Sequence, residues 1–402
     1  MVFAFLVLSI PGLQGFDNSQ TAAKIVQHTV SGEVSLFYDR PHIWGALWAM
    51  GMDHFWHGTG IGTLFLYYPE YRTLDFRTAG LMGHNDPLQF FAEMGIFAPV
   101  LFYMLAVFAV YKTVRCLRVV EDEAQRLRLL IPFCAMGALL VHTHISFHFY
   151  IVPSLFLMGT ILAYWFVQVE WVLPSKAWQI TTGSLIENGL VKGCVVALLG
   201  CQLLVFVPSQ GSELMVRYAK ERIQEHEDIE GFVRWVNRAR KVSFYRNGRA
   251  DALAATVPSG ILRARKDFRE GERERLFTQA KGLLERSIVT NNRQASFYYE
   301  LSLMSEYAQE HFPEVEMDAP LALMETAMRL DPLHANTRLR LADLLIVDGR
   351  KAEAFEVLKG GLNWHYAGQK TRAYWHKTAS MAVEYGDFEA RDIAIRKLGT
   401  SR

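Results

Sequence analysis

Hydrophobic and polar positions divide the chain into two unlike halves. Up to about residue 208, long apolar runs rich in Phe, Leu, Val and Met dominate; from 211 onward, charged residues recur every few positions. Four runs approach or reach the roughly 20 apolar residues that a bilayer-crossing helix needs: 88–111, 129–149, 151–169 and 191–208, the last near the short limit. Residues 2–10 are apolar but too short to span, and they lack the basic flank of a signal peptide. Residues 1–11 are therefore expected to be the stump of a transmembrane helix that starts upstream. Pro99, Pro132 and Pro153 fall within or at the ends of the runs, where neighbouring helices can satisfy the freed backbone groups.

The second half has a helical rather than a membrane period. Residues 320–362 place small residues at Ala342 and Ala354, a turn glycine at Gly349 and Pro332 between helices, the pattern of a tetratricopeptide repeat. A weaker copy follows, with YGDFEA echoing VDGRKAEA, and Gly349 to Gly386 is close to the ~34-residue repeat length. Further helices are expected at 274–288 and 296–309, and 212–270 reads as helical without a clear repeat. The expected fold is all-α: polytopic transmembrane helices, the C-terminal part of a larger bundle, then a water-soluble helical-repeat solenoid at 211–402, whose repeats need neighbours to bury their apolar faces.

Charge adds a topology. Lys112, Arg115, Arg118, Arg126 and Arg128 surround the connection between the first two runs, which the positive-inside rule places in the cytoplasm. Alternating the spans then puts the loop 12–87 and the domain 211–402 together on the extracytoplasmic side. A formal net charge of +1 argues against a nucleic-acid partner, which would demand a basic excess. The 4 cysteines, Cys116, Cys134, Cys194 and Cys201, form no CxxC pair and read as small buried hydrophobes rather than metal or disulfide sites.

The loop 12–87 is where chemistry is expected. Ile43, Leu47 and Met50 make one stripe at helical spacing, with Trp44 and Trp48 beside it, suiting a helix at the membrane interface. Gly58, Gly60 and Gly62 alternate in HGTGIGTLF, which by itself predicts only a flexible turn. His84-Asn85 immediately precedes the first long run. Histidine titrates near neutrality and suits acid–base work; a polar interface residue is the plainer reading. Asn85 is placed to cap the following helix. Glu93 lies in the first turns of the run, and an acid inside a span is a functional candidate or a charge partner. His142, His144 and His148 near the far end of the second run read as groove or interface lining in preference to metal ligands.

The order of these elements resembles the bacterial O-antigen ligase and Wzy-type polymerase family. The resemblance rests on RPHIW with Arg40, the glycine run followed by YYPEY, His84-Asn85 nine residues before Gly95, and LVHTHISFHFYIVP, and covers about 35–170. The family pattern has a further glycine where this chain has Ala98. Family members have more membrane spans than this sequence, in keeping with the stump. The resemblance implies transfer of a glycan from undecaprenyl diphosphate to an acceptor (lipid A-core, another glycan, or a protein such as a pilin) on the periplasmic side of the bacterial inner membrane. No nucleotide sugar, metal or other cofactor is implied. The catalytic residues would be His84, as base or hydrogen-bond donor, and Arg40, as a diphosphate contact whose planar fork grips two oxygens. Asn85, Arg72, Arg77 and Glu93 would be substrate-binding. The repeat domain is expected to bind a protein partner or acceptor, or to act as a spacer. The competing reading is a non-enzymatic membrane scaffold displaying repeats.

Overall fold

A computed structural model describes residues 40–72, 82–174, 189–242, 247–362 and 371–400. The stump at 1–11 and the loop residues 12–39 lie outside the described residues. The described chain is all-helical.

Three short helices form a cap at one end of the membrane part. Helix α1 (Arg40–Asp53) buries Ile43, Ala46, Leu47 and Met50, an i, i+3, i+4, i+7 stripe. Helix α2 (Leu64–Tyr71) adds Leu64 and Tyr68, and α3 (Asp86–Met94) adds Ala92, to make one small core. The expected apolar stripe of α1 is thus the inward face, while Trp48 stays exposed, as an interfacial tryptophan should.

Helices α4 (Phe97–Leu117), α5 (Glu123–Thr143) and α6 (Val152–Val172) follow. All three are long and apolar enough to cross a membrane; 21 residues at about 1.5 Å each cover the ~30 Å hydrocarbon thickness. Their outer faces expose Met104, Val107, Ile131 and Phe156, which favours lipid over water as their solvent. At the cation-rich end, Cys116, Leu129, Trp165 and Val169 pack together, and Trp165 Nε1 donates to Thr113 Oγ1 at 2.9 Å.

The first span differs from the expected 88–111. Gly95, with φ 76°, breaks the apolar run into α3 and α4, so Glu93 belongs to the cap rather than to a spanning helix. Apolar composition alone does not report such a break, because both pieces are hydrophobic. The fourth expected span, 191–208, falls within helix α7 (Gly189–Glu225), a continuous helix of 37 residues. The composition change at 208–211 therefore falls within one continuous helix.

The second half continues as α8 (Ile229–Val242), α9 (Gly248–Ala264), α10 (Glu272–Thr290), α11 (Ala295–His311), α12 (Pro320–Leu330), α13 (Ala335–Val347), α14 (Lys351–Lys359), α15 (Arg372–Glu384) and α16 (Phe388–Thr400). Each packs chiefly on its neighbours in sequence, as in a repeat solenoid. Ala342, Ala354, Ala382 and Ala394 are fully buried between helices. Their small side chains let the hairpins approach, and Gly349 and Gly386, both at positive φ, turn α13 into α14 and α15 into α16.

The cap and the solenoid touch. Helix α2 packs on α12; Arg72 Nη2 lies 2.7 Å from Asp331 Oδ1 and Arg293 Nη1 lies 2.9 Å from Glu70 Oε2. The Arg293 guanidinium also sits 4.2 Å from the centre of the Tyr67 ring. These contacts join the cap to the repeat domain.

Candidate active site

Helix α3 starts where the sequence says it should. Asn85 Oδ1 accepts the Leu88 amide at 3.0 Å, and Pro87 occupies the first turn. Both features favour a helix start, since the cap fills an orphan donor and proline has none to lose. Immediately before it, His84 has φ 53°, a left-handed conformation that is costly for a residue with a Cβ. It turns the imidazole edge-on to Phe147, with ring centres 4.8 Å apart.

The residues facing His84 come from the connection between α5 and α6. Arg40 Nη1 donates to the Ile145 carbonyl at 2.8 Å. Asp86, fully buried, accepts the His148 and Phe149 amides on Oδ2 at 2.8 and 3.3 Å. Burial pushes its carboxyl up to about 6, against the downward pull of those two bonds. Burial also lowers the pKa of His84, and the positive charge of Arg40 lowers it further. Desolvation and a like charge both penalise the imidazolium and so favour the neutral ring, the form able to accept a proton.

Beneath His84 runs a buried hydrogen-bond chain. The Gly83 amide donates to Gln89 Oε1 at 2.9 Å, and Gln89 Nε2 donates to Glu93 Oε1 at 3.2 Å. Glu93 also accepts the Leu64 amide (3.1 Å), the Gly62 amide (2.9 Å) and the Tyr150 hydroxyl (2.6 Å). A fully buried carboxylate is tolerable when donors surround it in this way. Burial and the Glu93 bond together raise the Tyr150 pKa, so Tyr150 remains the donor.

The glycine run is more than a flexible turn. Its backbone wraps the end of α3: the Thr59 amide donates to Ala92 O at 3.1 Å and the Gly60 amide to Glu93 O at 2.8 Å, filling acceptors that a helix end leaves open. The approach is close. A Cβ on Gly58 would sit 2.2 Å from the Glu93 carbonyl carbon, and one on Gly95 would sit 2.3 Å from Trp56 O.

The remaining histidines of this region lie at the end of α5 and in the connection after it. His142 and His148 bond through their rings, and His144 bonds to the Tyr103 hydroxyl at 2.8 Å. Among the sequence-predicted residues, His84, Arg40, Asn85 and Glu93 thus gather around one connection. Arg72 does not join them: its guanidinium is committed to Asp331 in the repeat domain. Arg77 lies outside the described residues. Sequence reasoning missed Asp86, Gln89 and Tyr150. The four-residue spacing of Gln89 and Glu93 on one face of α3 was the signal available for Gln89; nothing local marks Tyr150.

Residues 1–103 match the O-antigen ligase family. The matched segment contains Arg40, the glycine run, His84 and Glu93, and it ends inside α4. The connection that faces His84, residues 145–150, lies beyond the ligase match. No curated protein matches the chain. Among solved structures, the crystal structure of MamA is 15% identical, matching 45% of this chain and 90% of that chain with a TM-score of 0.30.

Proposed function

We propose that the chain transfers a glycan from undecaprenyl diphosphate to an acceptor hydroxyl at the periplasmic face of the bacterial inner membrane. The observation that carries this reading is the convergence of His84 and Arg40 on the connection 145–150, at the end of the spanning helices opposite the cation-rich loop. The O-antigen ligase match of the N-terminal segment supports a glycan transferase, and the three apolar helices suit a lipid-linked donor. The cluster Lys112, Arg115, Arg118, Arg126 and Arg128 supports a cytoplasmic placement for the opposite end.

In this mechanism the acceptor oxygen attacks the anomeric carbon as the bond to the carrier phosphate breaks. His84 takes the acceptor proton at an imidazole nitrogen, and the electron pair leaves with undecaprenyl diphosphate. Arg40 offsets the charge that develops on the departing phosphate. Asn85, Asp86 and Glu93 hold His84 in its left-handed turn. Arg72, by contrast, acts at the contact with the repeats.

The test is glycan transfer by His84→Ala and Arg40→Ala in the full chain, with lipid-linked donor supplied in the host membrane. A loss of about 10² or more in rate is expected for His84→Ala, the range for removing a general base. Undiminished transfer in both variants excludes these two residues as the catalytic pair.

A further inference from the structure

The contact between cap and solenoid leaves a cleft of about 390 Å³ whose walls come from both. Thr59, Thr63 and Tyr67 form the wall on the cap side; Asn247 and Arg249 from the start of α9 and Asn292 from the turn after α10 face them. The volume falls in the ~300–1,000 Å³ range of sites that hold small molecules.

The lining chemistry narrows the ligand. Each arginine at the cleft meets a carboxylate: Arg249 pairs with Glu213 at 3.2 Å, and Arg293 pairs with Glu70 at 2.9 Å. Balanced charge disfavours a phosphate or a strongly acidic segment. What remains is a set of hydroxyls and side-chain amides, among them the Thr59 and Thr63 hydroxyls bonded to each other and Asn247 bonded to Ser212 and Glu213, beside the aromatic rings of Phe65 and Tyr67. Hydroxyl-rich sugars, with polar edges and apolar ring faces, fit that combination. The position is equally specific. Thr59 and Thr63 line the cleft, while the amides of Thr59, Gly60 and Gly62 hold Ala92 O, Glu93 O and the Glu93 carboxylate. A single stretch of chain therefore separates the cleft from the network under His84.

We infer that this cleft binds a neutral oligosaccharide portion of the substrate, so that the repeat domain supplies one wall of the transferase's glycan site. The inference rests on the transferase reading above for the source of the glycan. Asn292 is exposed at the cleft, which makes it a suitable reporter. In the full chain, Asn292→Cys is labelled with a maleimide in host membranes, with the native chain as background for its own cysteines. The probe is the free oligosaccharide released by mild acid from the host's lipid-linked donor. At about ten times its dissociation constant a bound ligand slows labelling about tenfold by mass action. Unchanged labelling across the soluble range of the oligosaccharide overturns the inference. In parallel, Asn292→Trp fills the cleft and should raise the donor or acceptor KM about tenfold with little change in maximal rate, a loss of binding alone. Native kinetics in Asn292→Trp also overturn the inference. Slowed labelling in a chain that shows no transfer overturns the transferase reading and supports the cleft.

Discussion

The Tyr150 hydroxyl donates to Glu93 Oε2 at 2.6 Å, tying the turn after the second span to the short helix before the first. The same carboxylate receives two backbone amides from the glycine run and α2. Replacing Glu93 by Gln turns one acceptor oxygen into an NH₂ group facing donors. The expected cost is about 1–3 kcal/mol, the penalty for leaving buried partners unpaired. Tyr150→Phe removes one charge-assisted bond and should cost about 1.5–3 kcal/mol. Thermal unfolding of the detergent-solubilised chain checks both. Equal melting of Glu93→Gln and the native protein would show that the carboxylate does not organise the cap.

Asp86 makes the cap sensitive to pH in an unusual direction. Its carboxyl is raised from an ordinary 3.8 to about 6 by burial, so the folded state holds the proton more tightly than the unfolded chain does. The stabilising effect of protonation is fully present below about 4 and is lost as pH rises through about 6. A rise of that size corresponds to roughly 2–3 kcal/mol. Asn can keep the bonds to His148 and Phe149 without a charge. Asp86→Asn should therefore remove this loss of melting temperature between pH 4 and pH 7. A native-like decline in the variant would assign the pH dependence to another group.

His84 should set the acidic limb of the transfer rate. Burial and Arg40 both lower its pKa, so the base form persists below the usual histidine midpoint. Arg40→Gln removes the second influence but leaves the first. The residual activity of that variant is expected to have its acidic limb displaced to higher pH, because the imidazolium no longer faces a fixed cation. Rates across pH 5–8, compared as profile shapes rather than absolute values, decide the matter. A limb that stays in place despite lower activity would show that Arg40 acts on substrate alone.

The glycines of the cap separate into constrained and free positions. Gly95 has φ 76° and backbone of Trp56 where a Cβ would lie. Gly45, exposed on α1, has nothing within 4 Å of that point. Gly95→Ala should destabilise by more than the ~1–3 kcal/mol of backbone strain alone. Gly45→Ala should be neutral or stabilise by about 0.5–1 kcal/mol through helix propensity. Melting curves of the two variants provide the check, and similar behaviour would contradict the close wrapping of the glycine run.

Much of this arrangement can be read from local sequence, and the remainder has a physical reason for being hidden. Span lengths, the Asn85 cap and the paired turns at Gly349 and Gly386 depend on neighbours a few residues away. The break at Gly95 is harder to read, because α3 and α4 are both apolar and the glycine's role depends on Trp56, distant in the chain. Asp86 and Tyr150 acquire their roles only when the connection 145–150 folds back onto α3. Arg72 is equally ambiguous in sequence: an arginine near His84 suits a phosphate until Asp331 is seen beside it. Long-range pairing, not residue type, decides those positions.

Arg72 and Asp331 form a nearly buried ion pair, with side chains 13% and 18% exposed, between α2 and the repeat domain. Charge reversal separates an architectural role from a phosphate-binding one. Arg72→Asp and Asp331→Arg should each loosen the repeats from the cap, measured as faster protease cleavage and a lower melting temperature. The expected loss is about 1.5–3 kcal/mol for a charged hydrogen bond, with some further cost from two like charges. Combining the reversals restores an opposite-charge pair at the same place, so the double variant should recover most of the loss as a coupling energy. A phosphate contact would behave otherwise. An aspartate at position 72 would still repel the carrier, and Asp331→Arg could not rescue transfer. Recovery of both stability and transfer in the double variant therefore assigns Arg72 to the joint; recovery of stability without transfer would return it to the diphosphate.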